Sequence, residues 1–142
     1  MEISLMTINN YAEVYSLWEA CGISLGESDT KEEIDKFLRF NPTTCFIGKE
    51  NGKIIANVLG GFDGRRGLVH HLCIHPDFRK NGYGSEIMTQ LENAFRNLGV
   101  IKITFWVLES NKKVIKFYNQ LGYDLRDDIF SMSKNLHNSK YK

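Results

Sequence analysis

Leu72-Cys73-Ile74-His75-Pro76-Asp77-Phe78-Arg79-Lys80-Asn81-Gly82-Tyr83-Gly84 is the stretch on which the fold turns. Its first three residues end a β-forming run, 68–74, that His75-Pro76 stops. From Tyr83 the apolar period becomes helical: Ile87, Met88, Leu91, Ala94, Phe95 and Leu98 share a face, and Gly99 closes it. Residues 79–84 therefore form a strand-to-helix turn. The first turn of a helix offers backbone N–H groups with no internal partner, at the positive end of the helix dipole. Glycine at 82 and 84 removes side chains that would hold a phosphate off that backbone, and Arg79 and Lys80 add charge at its mouth. The expectation is an anion cradle; the plainer reading is a glycine turn entering a helix. No G-K-[ST] follows, which excludes a P-loop, and no third glycine stands where a Rossmann loop needs it.

Working outward, Asn51-Gly52 between the runs 44–49 and 53–60 predicts a two-residue hairpin, and Asp63-Gly64 and Gly67 break the chain before 68–74. Toward the start, Ile3 and Leu5 offer a short strand. Tyr11, Val14, Tyr15 and Trp18 recur at helical spacing, and Thr30-Lys31-Glu32-Glu33 is a capping box before Ile34, Phe37 and Leu38. Toward the end, 101–108 reads as a strand, Asn111 as the cap of a short helix with Val114, Ile115, Tyr118 and Leu121, and 123–132 as a last strand. The order β-α-α-β-β-β-α-β-α-β predicts an α+β fold with helices on both faces of a mixed, mostly antiparallel sheet of about six strands. Residues 1–132 are expected to form one domain, and 133–142 a flexible tail.

Composition narrows the function. The 142 residues suit one domain, and a net charge of +1 provides no broad field for nucleic acid or anionic membrane. No apolar run approaches the roughly 20 residues of a bilayer span. Residues 1–10 lack the basic and apolar blocks of a signal peptide, and Cys21, Cys45 and Cys73 are odd in number with no C-x-x-C. The expectation is a cytoplasmic protein with reduced, mostly buried thiols, no metal, and no nucleic-acid or membrane partner.

A second motif, Asn111-Lys112-Lys113-Val114-Ile115-Lys116-Phe117-Tyr118-Asn119-Gln120-Leu121-Gly122-Tyr123, follows at helix-plus-strand distance. The two segments together resemble the paired signatures of the GNAT acetyltransferase superfamily, x-P-x-[FY]-R-x-x-G-x-G and N-x-x-A-x-x-[FL]-Y-x-x-x-G-[FY], with Val114 where alanine is commoner. The resemblance covers nearly the whole chain. It implies transfer of an acetyl group from acetyl-CoA to a primary amine by direct attack, in an α/β three-layer fold. A non-catalytic acyl-CoA-binding sensor is the alternative.

By the same resemblance, main-chain groups of Leu72, Cys73 and Ile74 hold the pantetheine arm. Arg79, Lys80, Asn81, Gly82, Tyr83, Gly84 and Ser85 hold the pyrophosphate. Asn111 contacts the arm, Tyr118 serves the leaving thiolate as general acid, and a homodimer is expected by family analogy. A backbone N–H near Leu72 or Cys73 is suited to stabilise charge on the carbonyl oxygen. His70, His71 and Glu109 are candidates for accepting the amine proton. Strand alternation places His70 and His71 on opposite faces. The branch that acetylates ribosomal-protein N-termini has glutamate five residues before the motif asparagine, where this chain has Trp106, which argues against that acceptor. Trp18, Phe37 and Phe40 stand in the part that shapes the acceptor pocket in similar enzymes, although ordinary core packing is the favoured reading. Arg65 and Arg66 are suited to an acidic acceptor or to plain solvation.

Overall fold

The computed structural model describes residues 1–136, and the chain divides into two compact units, Met1–Phe105 and the part from Trp106 onward. The first unit contains β1 (Glu2–Leu5), α1 (Tyr11–Ala20), α2 (Lys31–Phe40), β2 (Cys45–Glu50), β3 (Lys53–Phe62), β4 (Gly67–Ile74), α3 (Tyr83–Asn97) and β5 (Ile103–Thr104). The second contains a 3-10 segment, Glu109–Val114, and α4 (Ile115–Gln120). Among the described residues no helix is long and apolar enough to cross a membrane.

The strands lie in the order β1-β2-β3-β4-β5, antiparallel except for β4 with β5. Asn51 (φ 49°) and Gly52 (φ 79°) both take positive φ, as the tight β2–β3 hairpin requires. Thr30 Oγ1 accepts the Glu33 N–H at 3.2 Å and starts α2. Adjacent glycines of β3 separate the two helical layers. A Cβ on Gly60 would sit 2.5 Å from Leu91 of α3 and 2.6 Å from Thr44 O, so only glycine lets α3 approach this closely. One on Gly61 would meet Phe37 of α2 at 3.2 Å, on the opposite face.

On the α1–α2 face Trp18 is fully buried and its Nε1–H donates to Asn57 Oδ1 at 2.8 Å. The Asn57 amide donates in turn to Phe46 O at 2.9 Å, which ties α1 to the middle of the sheet through one buried polar group. Asn57→Ala leaves the buried indole N–H of Trp18 without a partner and opens a small void. It is expected to cost about 2–3 kcal/mol and to lower the melting temperature by several degrees in a thermal unfolding scan.

Three expectations change. The sheet has five strands, because 123–132 forms no strand. That segment is crowded with Asp124, Arg126, Asp127 and Asp128, and its guanidinium is tied locally, Arg126 Nε to Asp128 Oδ1 at 2.9 Å. Tyr123, Leu125 and Ile129 share one parity, but Asp127 interrupts that row and Phe130 falls on the opposite side. The strand read over 101–108 shrinks to Ile103–Thr104, since its pairing with β4 covers only Gly67↔Ile103 and Leu68↔Thr104. Finally, Asn111 does not cap a helix. It lies inside the 3-10 segment at φ −116°, and α4 begins at Ile115. Of the tail, residues 133–136 are exposed, while Asn138, Lys140 and Lys142 lie outside the described residues.

Candidate active site

The site of the first unit is built on β4. Pairing with β3 runs Leu59↔His70 and then Asn57↔Cys73, so three steps on β4 oppose two on β3. This is a bulge, and His71 takes φ 53° within it. A left-handed conformation is strained for a residue with a Cβ, and such positions gather at functional sites. The bulge also cancels strict alternation. His71 packs edge-on against Trp18 of α1, with ring centroids 4.9 Å apart, while His70 packs against Phe37 of α2 at 5.8 Å. Both histidines therefore face the α1–α2 layer, not opposite sides.

Below the bulge the phase is set by His75 N–H, which donates to Ile55 O at 2.7 Å. In an antiparallel ladder the outward-facing residues alternate with these, so Ile74 and Leu72 turn their main-chain groups away from β3. On that edge pairing with β5 has already ended at Leu68. The Ile74 carbonyl accepts from Arg79 Nε at 3.1 Å and from Cys21 Sγ at 3.4 Å.

The loop into α3 is tied by its own side chains. His75 Nδ1 accepts the Asp77 N–H at 3.1 Å, and the Asn81 amide donates to Phe78 O at 3.0 Å. Lys80 (φ 66°) and Gly82 (φ 77°) are both left-handed and turn the chain into the helix. Glu86 N–H is the first to donate within α3, to Gly82 O at 3.0 Å, so the N–H groups of Tyr83, Gly84 and Ser85 have no acceptor inside it. A Cβ placed on Gly82 would meet nothing within 4 Å, so the mouth of this turn is open. Arg79, Lys80 and Asn81 are exposed around it. The Tyr83 side chain points elsewhere, donating to Glu50 Oε1 at 3.0 Å, and only its N–H belongs to the turn. The donor set fits a diphosphate.

Cys45 and Cys73 are buried, as expected for small apolar residues, but Cys21 is only half-buried. A hydrogen bond from Cys73 lowers the Cys21 thiol to about 7, with Arg79 acting in the same direction against burial. Asp63 Oδ1 accepts the N–H groups of Arg65 and Arg66, both at 2.7 Å, which holds that carboxyl below its usual range and shapes the β3–β4 loop.

The α1–α2 connection contributes one further group. Asp29, in the 3-10 turn Glu27–Asp29, places Oδ1 2.6 Å from His71 Nε2. Burial alone would raise the Asp29 carboxyl. Hydrogen bonds from His71 and from Gly26 N–H outweigh it and hold the group below its ordinary value. His70 is pushed down by burial, with His71 adding to the effect and Asp29 opposing it.

In the second unit the Tyr118 ring packs against Phe117 at 5.1 Å and Tyr123 at 6.0 Å, and burial raises its hydroxyl to about 12. Tyr123 N–H returns to Tyr118 O at 3.0 Å, closing α4 at Gly122. Glu109 and Asn111 are exposed, and Asn111 N–H donates to Leu108 O at 2.8 Å.

A model of the acetyltransferase (GNAT) family matches residues 11–123. A Yersinia pestis protein named acetyltransferase is 33% identical over 129 residues, spanning 91% of this chain and 92% of that one. Among solved structures, the PaiA N-acetyltransferase of Thermoplasma acidophilum in complex with coenzyme A superposes with a TM-score of 0.78 at 13% identity, over 91% of this chain and 94% of that one. AAC(6')-Iy in complex with the bisubstrate analog CoA-S-monomethyl-acetylneamine gives 0.74 at 12% identity, over 94% and 97%.

Proposed function

The chain belongs to the GNAT acetyltransferase family, and from that premise we propose that it transfers an acetyl group from acetyl-CoA to a primary amine by direct attack. The observation that carries the reading is the open α3 N-terminus at Gly82, next to a β4 edge that leaves its neighbour after Leu68. The coenzyme A bound by the Thermoplasma neighbour supports it. In this proposal residues 1–132 act as one catalytic domain.

Each group then has a task. The N–H groups of Gly82, Tyr83, Gly84 and Ser85, with Arg79, Lys80 and Asn81, hold the pyrophosphate. Outward main-chain groups of Leu72 and Ile74, with Cys73 between them, hold the pantetheine arm, and Asn111 holds it further along. Acetyl-CoA brings the activated acyl carbon. A β4 backbone N–H at Leu72 polarises its carbonyl, since that of Cys73 faces β3 opposite Asn57. Tyr118 serves the leaving sulfur. With the hydroxyl raised to about 12 and a thiol reference near 8.5, full proton transfer to the thiolate is uphill, so Tyr118 acts chiefly as a strong hydrogen-bond donor. His70, His71 and Glu109 are the candidates for the amine proton. The cytoplasm and a homodimer complete the proposal.

Saturating acetyl-CoA is expected to raise the melting temperature, by about 2.7 kcal/mol of stabilisation at 100 times Kd. An acceptor panel of small amines, amino acids, polyamines and lysine peptides, read by free-thiol release, identifies the second substrate. No thermal shift would overturn the coenzyme assignment. A shift with no thiol release across every amine class would reduce the protein to a sensor.

A further inference from the structure

Asp29 and His71 lie 42 residues apart and meet at 2.6 Å across two elements. Neither group is loosely placed. Asp29 Oδ2 accepts the Gly26 N–H at 2.9 Å, and the Asp29 carbonyl accepts the Tyr11 hydroxyl at 2.6 Å. Both carboxylate oxygens and the main chain are thus fixed. The imidazole is wedged against Trp18, and the bulge fixes its backbone.

An ionised carboxylate only accepts, so His71 Nε2 has the hydrogen and Nδ1 has the lone pair. Among the described residues Nδ1 makes no hydrogen bond, and no buried side-chain nitrogen or oxygen lacks a partner, so Nδ1 reaches solvent. This basic nitrogen sits on β4 just beyond the point where β5 departs.

We infer that His71 is the base that takes the proton from the attacking amine, and that Asp29 is its positioning residue. The inference rests on the acetyl-transfer reading and deepens it. The amine nitrogen forms the C–N bond to the thioester carbonyl carbon and the C–S bond breaks with its electron pair on sulfur. The surplus proton on nitrogen passes to Nδ1 and then to water. Asp29 holds the tautomer that can accept and stabilises the imidazolium that forms. The other titratable groups around the pair do not compete. His70 has no hydrogen bond to orient it among the described residues, and burial favours its neutral form. Tyr11 is raised by burial and by the neighbouring Tyr15 and Asp29, and stays protonated. Cys73, two residues on, is raised by its contact with Cys21.

With an amine from the panel, His71→Gln is expected to lower kcat about 30-fold and Asp29→Asn about tenfold, with KM for acetyl-CoA within about twofold. Asp29→Glu recovers part of the loss, added imidazole recovers part of the turnover of His71→Gly, and the acid limb of the kcat profile disappears in His71→Gln. Nitrogen-15 histidine spectra of the wild type, which need no acceptor, show the Nε2–H tautomer at His71. Wild-type kcat in Asp29→Asn, loss of the acid limb only in His70→Gln, or an Nδ1–H tautomer overturns the inference. Each variant is also melted with and without acetyl-CoA. An intact thermal shift in all of them isolates failure of the dyad, whereas no shift in the wild type removes the acetyl-transfer reading and this one with it.

Discussion

Gly82→Glu is expected to weaken acetyl-CoA binding more than about 100-fold, the equivalent of ~2.7 kcal/mol. The arithmetic has two parts. A charge-assisted hydrogen bond to a phosphate is worth about 1.5–3 kcal/mol, and a carboxylate at the mouth of the turn repels the ligand and competes for the same N–H groups. The helix dipole, favouring anions by about 0.3–1 kcal/mol, would then act on the wrong one. Bulk inside the protein is not the cause, because a Cβ on Gly82 meets no neighbour within 4 Å. The backbone is a separate matter: at φ 77° any side chain costs about 1–2 kcal/mol of folding stability. Gly82→Asn separates the two effects, since asparagine tolerates the left-handed region without adding charge. It is expected to bind acetyl-CoA within about tenfold of wild type. Titration calorimetry on the three proteins decides it, and a glutamate variant with wild-type affinity would place the phosphates elsewhere.

Tyr118→Phe is expected to lower kcat about 100-fold while KM for acetyl-CoA stays within about twofold. The variant keeps the ring and its contacts with Phe117 and Tyr123, and removes only the hydroxyl. In the proposed role, what is lost is a donor to sulfur as negative charge gathers there, an interaction stronger in the transition state than before it. The pH dependence has a definite sign. Burial raises the hydroxyl to about 12, so it stays protonated and able to donate as pH rises, until pH nears that value. No alkaline loss of kcat below about pH 11 should therefore trace to Tyr118, and the phenylalanine variant should keep the alkaline shape of the wild type. Steady-state kinetics with one amine from pH 6 to 10 provide the comparison. Undiminished turnover would remove Tyr118 from the chemistry.

Much of the architecture is legible from local signals. The Asn51-Gly52 hairpin, the Thr30 cap and the turn at Gly82 appear in the structure as read, and of the face read on α3, Ile87, Met88, Leu91 and Phe95 are buried while Leu98 is exposed. Each depends on residues within a few positions of one another, where propensity, glycine and apolar period act directly. The last strand was not legible for the complementary reason: Tyr123, Ile129 and Phe130 have strand propensity, but pairing needs a partner edge and an alternating face. The segment 101–108 shows the same limit, since a dense run of β-branched and aromatic residues does not say how far a neighbour will follow it. Asp29 has nothing in the sequence to distinguish it among 17 acidic residues. Val114, where alanine is commoner, ends the 3-10 segment just before α4.

By itself, then, the chain determined the order of its elements as far as α4, the place of its glycine turn and its family. These are written in short-range spacing. Tertiary structure alone decided that His70 and His71 share a face, that Asp29 holds His71, and that β4 parts from β5 after Leu68. The physical reason is register. One extra residue in β4 against β3 reverses which side a histidine faces, and that count is settled only when strands far apart in the chain meet.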